Sequence, residues 1–201
     1  MKRLLLISTV FLTACASITD GSPDAENNHA SIPLKERLVN PLFAEQYSKA
    51  MTERLTELVI DKDPIIEDEK KARYVEDTKR YWMDIDRKSR KLQQQGLTGQ
   101  FVGDKEYVIG EALLINNILF LGTKFETDPG PELHIFLSEV LDPRDLEEFP
   151  DPSFVDLGAL QSPYGAQRYG IPVVTNIDAL RTVILWDNQL KRLYGFAQLS
   201  K

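Results

Sequence analysis

Thr182-Val-Ile-Leu-Trp-Asp187, followed across a polar turn at Asp187-Asn188-Gln189 by Tyr194-Gly-Phe-Ala197, is the stretch that decides the fold. Val183, Leu185 and Trp186 supply the β-branched, aliphatic and aromatic residues that suit a half-buried pleated surface, so two strands are expected here. Just upstream, Gly165-Ala-Gln-Arg-Tyr-Gly-Ile-Pro172 is punctuated by Gly and Pro and reads as a loop.

Further short strands are expected at Gln100–Gly103, at Leu133–Leu137 and at Phe154–Gly158. Tyr107–Ile115 and Ile118–Leu121 read as a hairpin turning at Asn116-Asn117. Leu141–Pro152 is acidic and Pro-punctuated and reads as a surface loop. Many short strands without crossover helices predict a mainly β domain over residues 96–201, an antiparallel β-sandwich or barrel.

An N-terminal helical segment, residues 41–95, is expected to precede it. Phe43, Tyr47, Met51, Leu55, Leu58 and Val59 recur at spacings of three and four, the apolar stripe of an amphipathic helix. Asp63-Pro64 stops that helix and starts a second, Ile65–Gln95, whose thinner stripe is Ala72, Val75, Thr78, Trp82, Ile85, Ser89 and Leu92. The two suit an antiparallel hairpin or packing on the downstream domain. Tyr74, Tyr81 and Trp82 are read as core or helix–helix contacts.

The first residues carry a different signal. Met1-Lys-Arg3 is a positive n-region, and Leu4–Ala14 is an apolar run too short to span a bilayer as a mature helix. Residues 1–14 therefore read as a signal peptide. Leu12-Thr-Ala-Cys15 resembles the lipobox of bacterial lipoproteins, which implies cleavage before Cys15 and its attachment to diacylglycerol and further acyl chains such as palmitate. Two or three chains hold a protein at a membrane where one holds it weakly. Ala16 is not the Asp that resembles an inner-membrane retention signal, which implies the outer membrane, facing the periplasm, if the host has two. Residues 15–40, rich in Ser, Asn, Asp and Pro, read as the lipidated Cys and a flexible tether.

The formal net charge of −7 is uneven: residues 96–201 hold eight basic and fifteen acidic side chains, whereas the rest is balanced. An acidic module without a basic stripe repels phosphate backbones, so nucleic acid is not an expected partner. One Cys and two His argue against a His/Cys metal cage or an internal disulfide.

In linear order, the C-terminal half resembles the DM-thirteen family, a β-rich extracytoplasmic module described as an electron-transfer domain. The matching landmarks are Gly130-Pro-x-Leu133, Asp156-Leu-Gly158-x-Leu160, Gly165-x-Gln167-x-Tyr169-x-Ile-Pro172, Thr182–Trp186 and Tyr194-Gly-x-Ala197-x-Leu199. The resemblance implies a cysteine directly after the Trp of the penultimate strand, as a redox thiol or cofactor ligand. Here that position is Asp187. The one cysteine, Cys15, would be consumed by lipidation, and thiol redox chemistry needs a thiolate.

Other candidate residues carry milder readings. His29, in the tether, has no companion ligand. His134 lies on a strand face opposite Leu133 and Ile135 and reads as a surface or hydrogen-bonded histidine. Asp187 reads as a turn residue bonding nearby backbone. Arg168 and Tyr169 sit in the Gly-rich loop, Arg168 at a binding edge and Tyr169 as a loop-pinning core tyrosine. Asp142, Asp145, Glu147, Glu148 and Asp151 lack the ligand spacing of an EF-hand-type loop. No catalytic, cofactor-binding or metal site is expected. The expectation is a lipid-anchored envelope module that binds or assembles with an envelope protein. The alternative is an electron-transfer accessory without the family cysteine, for which Trp186, Tyr169 and Tyr194 would line a pocket, with His134 and Asp187 as ligands.

Overall fold

The computed structural model describes residues 32–146, 149–173 and 176–201. The signal peptide, Cys15 and His29 lie outside the described residues, as do Glu147 and Glu148.

Among the described residues three α-helices come first: α1 (Leu34–Arg37), α2 (Pro41–Ile60) and α3 (Glu69–Gln93). Asn40 caps α2 by accepting from the amides of Leu42 and Phe43, and Pro41 occupies the first turn, where its missing N–H costs nothing. The helix ends with Lys62 in the left-handed region at φ 52°, while the Asp63 amide bonds back to Leu58 O and that of Lys62 to Val59 O. Asp63 then caps a single 3₁₀ turn, Pro64–Glu67, and Asp68 caps α3. The second helix thus starts at Glu69, four residues after the expected Ile65.

α2 and α3 pack together around Leu55, Val75 and Trp82, with Tyr47, Met51, Leu58, Ile66 and Ile85 partly buried at their edges. Tyr47 meets the Trp82 ring edge-on at 5.1 Å. Two expected stripe members, Val59 and Leu92, are exposed, and so are Tyr74 and Tyr81, so the expectation that all three α3 aromatics are contacts holds for Trp82 alone. Leu42, absent from the expected stripe, seats the start of α2 on Leu113, Ile115 and Phe120. Among the described residues no helix is long and apolar enough to cross a membrane.

The expected tether ends earlier than residue 40. Leu34–Arg37 form a turn of helix, and Asn40 is buried, donating from Nδ2 to Leu121 O at 2.8 Å and Gln167 O at 3.2 Å. One side chain therefore starts α2 and pins it to the β domain.

Among the described residues ten strands follow: β1 (Leu97–Gly103), β2 (Val108–Ile109), β3 (Glu111–Ile115), β4 (Ile118–Leu121), β5 (Glu126–Thr127), β6 (Leu133–Ser138), β7 (Val155–Ala159), β8 (Gln167–Gly170), β9 (Thr182–Asp187) and β10 (Arg192–Gln198). Eight form one antiparallel sheet in the order β7-β6-β9-β10-β1-β3-β4-β8, curled into a nearly closed barrel; β2 and β5 pair separately. The chain is mainly β, with a helical segment in front.

The β3–β4 hairpin turns at Asn116 and Asn117, with φ 50° and 60°, the two left-handed residues of a type I′ turn. The expected long strand Tyr107–Ile115 is broken at Gly110, whose φ of +114° kinks it into β2 and β3. The loop expected at Gly165–Pro172 contains β8, which pairs with β4 in register Leu119↔Tyr169. β8, at one end of the sheet, is tied by side chains to the segment that follows β7, at the other end. The Gln161 amide donates to Tyr169 Oη (3.0 Å), Gln161 Nε2 to Arg168 O (2.8 Å), and Gln167 Nε2 to Ser162 O (2.8 Å).

The barrel interior is filled by Phe101, Leu119, Leu121, Phe125, Ile135, Leu137, Val183, Leu185 and their neighbours. β9 is buried along its whole length because its outer face is covered too: Phe136, Ile184, Trp186 and Phe196 lie under Phe149 and Phe154. Phe149 stacks on Trp186 at 3.9 Å between centroids. The acidic segment expected as a surface loop is therefore also a hydrophobic cover.

Candidate functional site

Alternation along β9 places successive side chains on opposite faces. Val183 and Leu185 belong to the interior cluster, and Ile184 and Trp186 to the outer one, so Asp187 faces the interior at one end of the barrel. It is fully buried. Its Oδ1 accepts from the amides of Gln189 (2.9 Å) and Leu190 (2.8 Å), which fixes the β9–β10 turn as expected for a turn residue. Oδ2 accepts from the Glu132 amide at 3.2 Å, a bond across 55 residues that ties the turn to the start of β6. Tyr194, from β10, closes the same end, with its hydroxyl donating to Pro129 O at 3.3 Å. Burial, with the Asp187 carboxylate next in effect, raises the Tyr194 phenol above its ordinary pKa.

Tyr169 points into the barrel from β8. Its hydroxyl accepts from the Gln161 amide and donates to Gln167 Oε1 at 2.8 Å, so it pins the segment between β7 and β8. Burial pushes its pKa up to about 12. Arg168 is exposed beside it.

The residues expected to cooperate are not brought together. Trp186 lies on the outer face, whereas Tyr169 and Tyr194 lie in the interior, so the three line no common pocket. His134 pairs in register with Trp186 and shares its outer face; Asp187 pairs with Leu133 and faces inward. They cannot ligate one ion. His134 is instead hydrogen-bonded through Nδ1 to Asp156 at 3.1 Å and stacks near Phe136. Among the described residues no three His, Cys, Asp or Glu side chains converge.

Two of the loop's acids, Asp142 and Asp151, are locally satisfied. Asp142 accepts from Arg144 Nε at 2.9 Å, and the guanidinium holds its carboxyl down at about 2. Asp151 accepts from the Ser153 hydroxyl and amide, which lowers it as well.

Sequence reasoning did not find the pairing of Asp187 with Gly130. A methyl group on Gly130 would lie 2.5 Å from Asp187 Oδ2 and 2.7 Å from Tyr194 Oη. Gly130-Pro131 stood out as part of a turn and of a family landmark, but its close approach to a buried carboxylate was not visible.

Together these features define a small antiparallel β-barrel module with a helical hairpin seated on one outer face. Residues 100–199 match the family described as Electron transfer DM13, and this half of the chain belongs to it. Searches of curated proteins and of solved structures each found no match.

A thiolate-ligated redox group does not fit the residues present. The position that the family resemblance assigns to cysteine holds an acceptor-only carboxylate already taking three backbone amides. The two methionines beyond Met1, Met51 and Met83, lie on the helices. Trp186 Nε1 is the one buried side-chain polar atom without a partner among the described residues, but Phe149 is stacked directly on its ring.

Proposed function

We propose that this chain is a lipid-anchored cell-envelope module that binds or assembles with an envelope partner and is not an enzyme. Asp187 carries the reading: where a redox thiol would stand, the side chain serves the architecture of the turn. The anchor rests on Leu12-Thr-Ala-Cys15. The hairpin supports a contact role, because α3 displays Tyr74 and Tyr81 to solvent on a helix whose other face is already packed.

The test joins two measurements on full-length protein isolated from its own membranes. Metabolic labelling with an alkyne fatty acid should mark the wild type and not Cys15→Ser. Cycling the same protein between dithionite and ferricyanide should give no reversible absorbance change. Labelling that survives Cys15→Ser would sink the anchor.

The family description favours a second reading, an electron-transfer accessory. A stoichiometric, reversible absorbance change would replace the first reading by this one.

A further inference from the structure

The end of the barrel opposite Asp187 opens into a cavity of about 680 Å³. Leu97, Leu114 and Leu199, which belong to or pack against the interior cluster, line it together with Ile177; Asn116, Asn117, Gln95 and Arg181 add polar groups. Mixed apolar and polar linings of this size at barrel mouths are the usual setting of small-molecule sites.

Arg181 is the unusual member. It is half-buried, and among the described residues its guanidinium has no hydrogen bond or ion pair. Its backbone is fully engaged, the N–H donating to Ser138 O at 2.8 Å and the carbonyl accepting from Leu199 N at 2.6 Å. A guanidinium partly removed from water normally takes a carboxylate. Among the described residues none is paired with it, although Asp178 lies on the same rim. Lys201 adds a second cation to the lining.

We infer that this mouth binds a small amphipathic monocarboxylate, with the carboxylate on Arg181 and the hydrocarbon body on Leu97, Leu114, Leu199 and Ile177. A hydrocarbon without charge leaves the guanidinium unpaired, and a charge without hydrocarbon leaves the leucines wet. The inference is independent of the membrane anchor and of Asp187.

Octanoate is the probe, titrated calorimetrically into the full chain, with acetate and octanol as the charge-only and hydrocarbon-only controls. Saturable octanoate binding well above either control is expected. Arg181→Met, which keeps the stem and the backbone bonds, should weaken it about tenfold or more, the loss expected for a charge-assisted bond. Arg181→Lys should retain most of it, and Ile177→Ser should weaken it while adding no charge beside the cation. No saturable heat at millimolar octanoate, octanol binding as tightly, or unchanged binding by Arg181→Met would each overturn the site.

Discussion

Gly130 lies against the Asp187 carboxylate so closely that a single added methyl group would sit 2.5 Å from Oδ2. The oxygen cannot retreat, because the Glu132, Gln189 and Leu190 amides hold both sides of the carboxylate. Gly130→Ala should therefore destabilise the fold by about 1–3 kcal/mol, the usual cost of overpacking. Urea unfolding measures it, and an unchanged midpoint would show that the turn yields.

Replacing Asp187 by the cysteine that the family resemblance assigns to this position separates architecture from chemistry. In a Cys15→Ser background, Asp187→Cys should lose about 2–3 kcal/mol, since buried amides are left without an acceptor. Its thiol, at a fully buried position, should react with a disulfide reagent slowly in buffer and quickly in urea. Rapid reaction in the folded protein would mean that this end of the barrel opens.

Asn40 has two functions that two substitutions can divide. Asn40→Ala removes the helix cap and both amide donors to Leu121 O and Gln167 O, at a cost of about 2–4 kcal/mol. Asn40→Asp keeps a capping oxygen but turns a carboxylate toward two carbonyls. It should be at least as unstable as Ala at neutral pH if the pin to the barrel dominates. Recovery to near wild type would show that the cap is what matters.

Tyr169 should ionise at about 12 in the folded protein. Its folded pKa lies above the ordinary 10, so its contribution to stability is complete below pH 10 and is lost as pH rises through about 12. Phenolate absorbance, compared between wild type and Tyr169→Phe, isolates it. A difference spectrum that titrates near 10 without unfolding would contradict the buried hydroxyl.

Asp142 behaves with the opposite sign. Arg144 depresses its pKa from 3.8 to about 2, so any stabilisation it gives is present above pH 3.8 and disappears as pH falls through about 2. Arg144→Gln should return the Asp142 carboxyl toward 3.8 in an NMR titration. A carboxyl that stays near 2 would assign the shift to the backbone.

What could be read in advance was local. Asn116-Asn117 encodes its own turn, and Thr182–Asp187 its own strand, because both depend on neighbouring residues alone. β8 was hidden, since Gln167–Gly170 becomes a strand only against β4, some fifty residues earlier. Half of Asp187 was legible: its bonds to Gln189 and Leu190 follow from turn chemistry, whereas the Glu132 bond and the complete burial depend on how β6 arrives. The separation of Trp186 from Tyr194 follows from alternation once Trp186 pairs with Leu193, and that register was not in the pattern. Asn40 looked like linker composition because its partners are backbone carbonyls 81 and 127 residues away.

The joint between β7 and β8 bears on how copies of this protein meet. A sheet that stops short of closing presents bare backbone, on which a neighbour can add a strand and polymerise. Here Gln161 Nε2 occupies Arg168 O on β8, and Gln167 and Tyr169 hold the Gln161–Ser162 backbone across the gap, all from within the same chain. Two copies that meet at this joint then collide as finished particles, and the interlocking of strands that begins a fibre has less to grip.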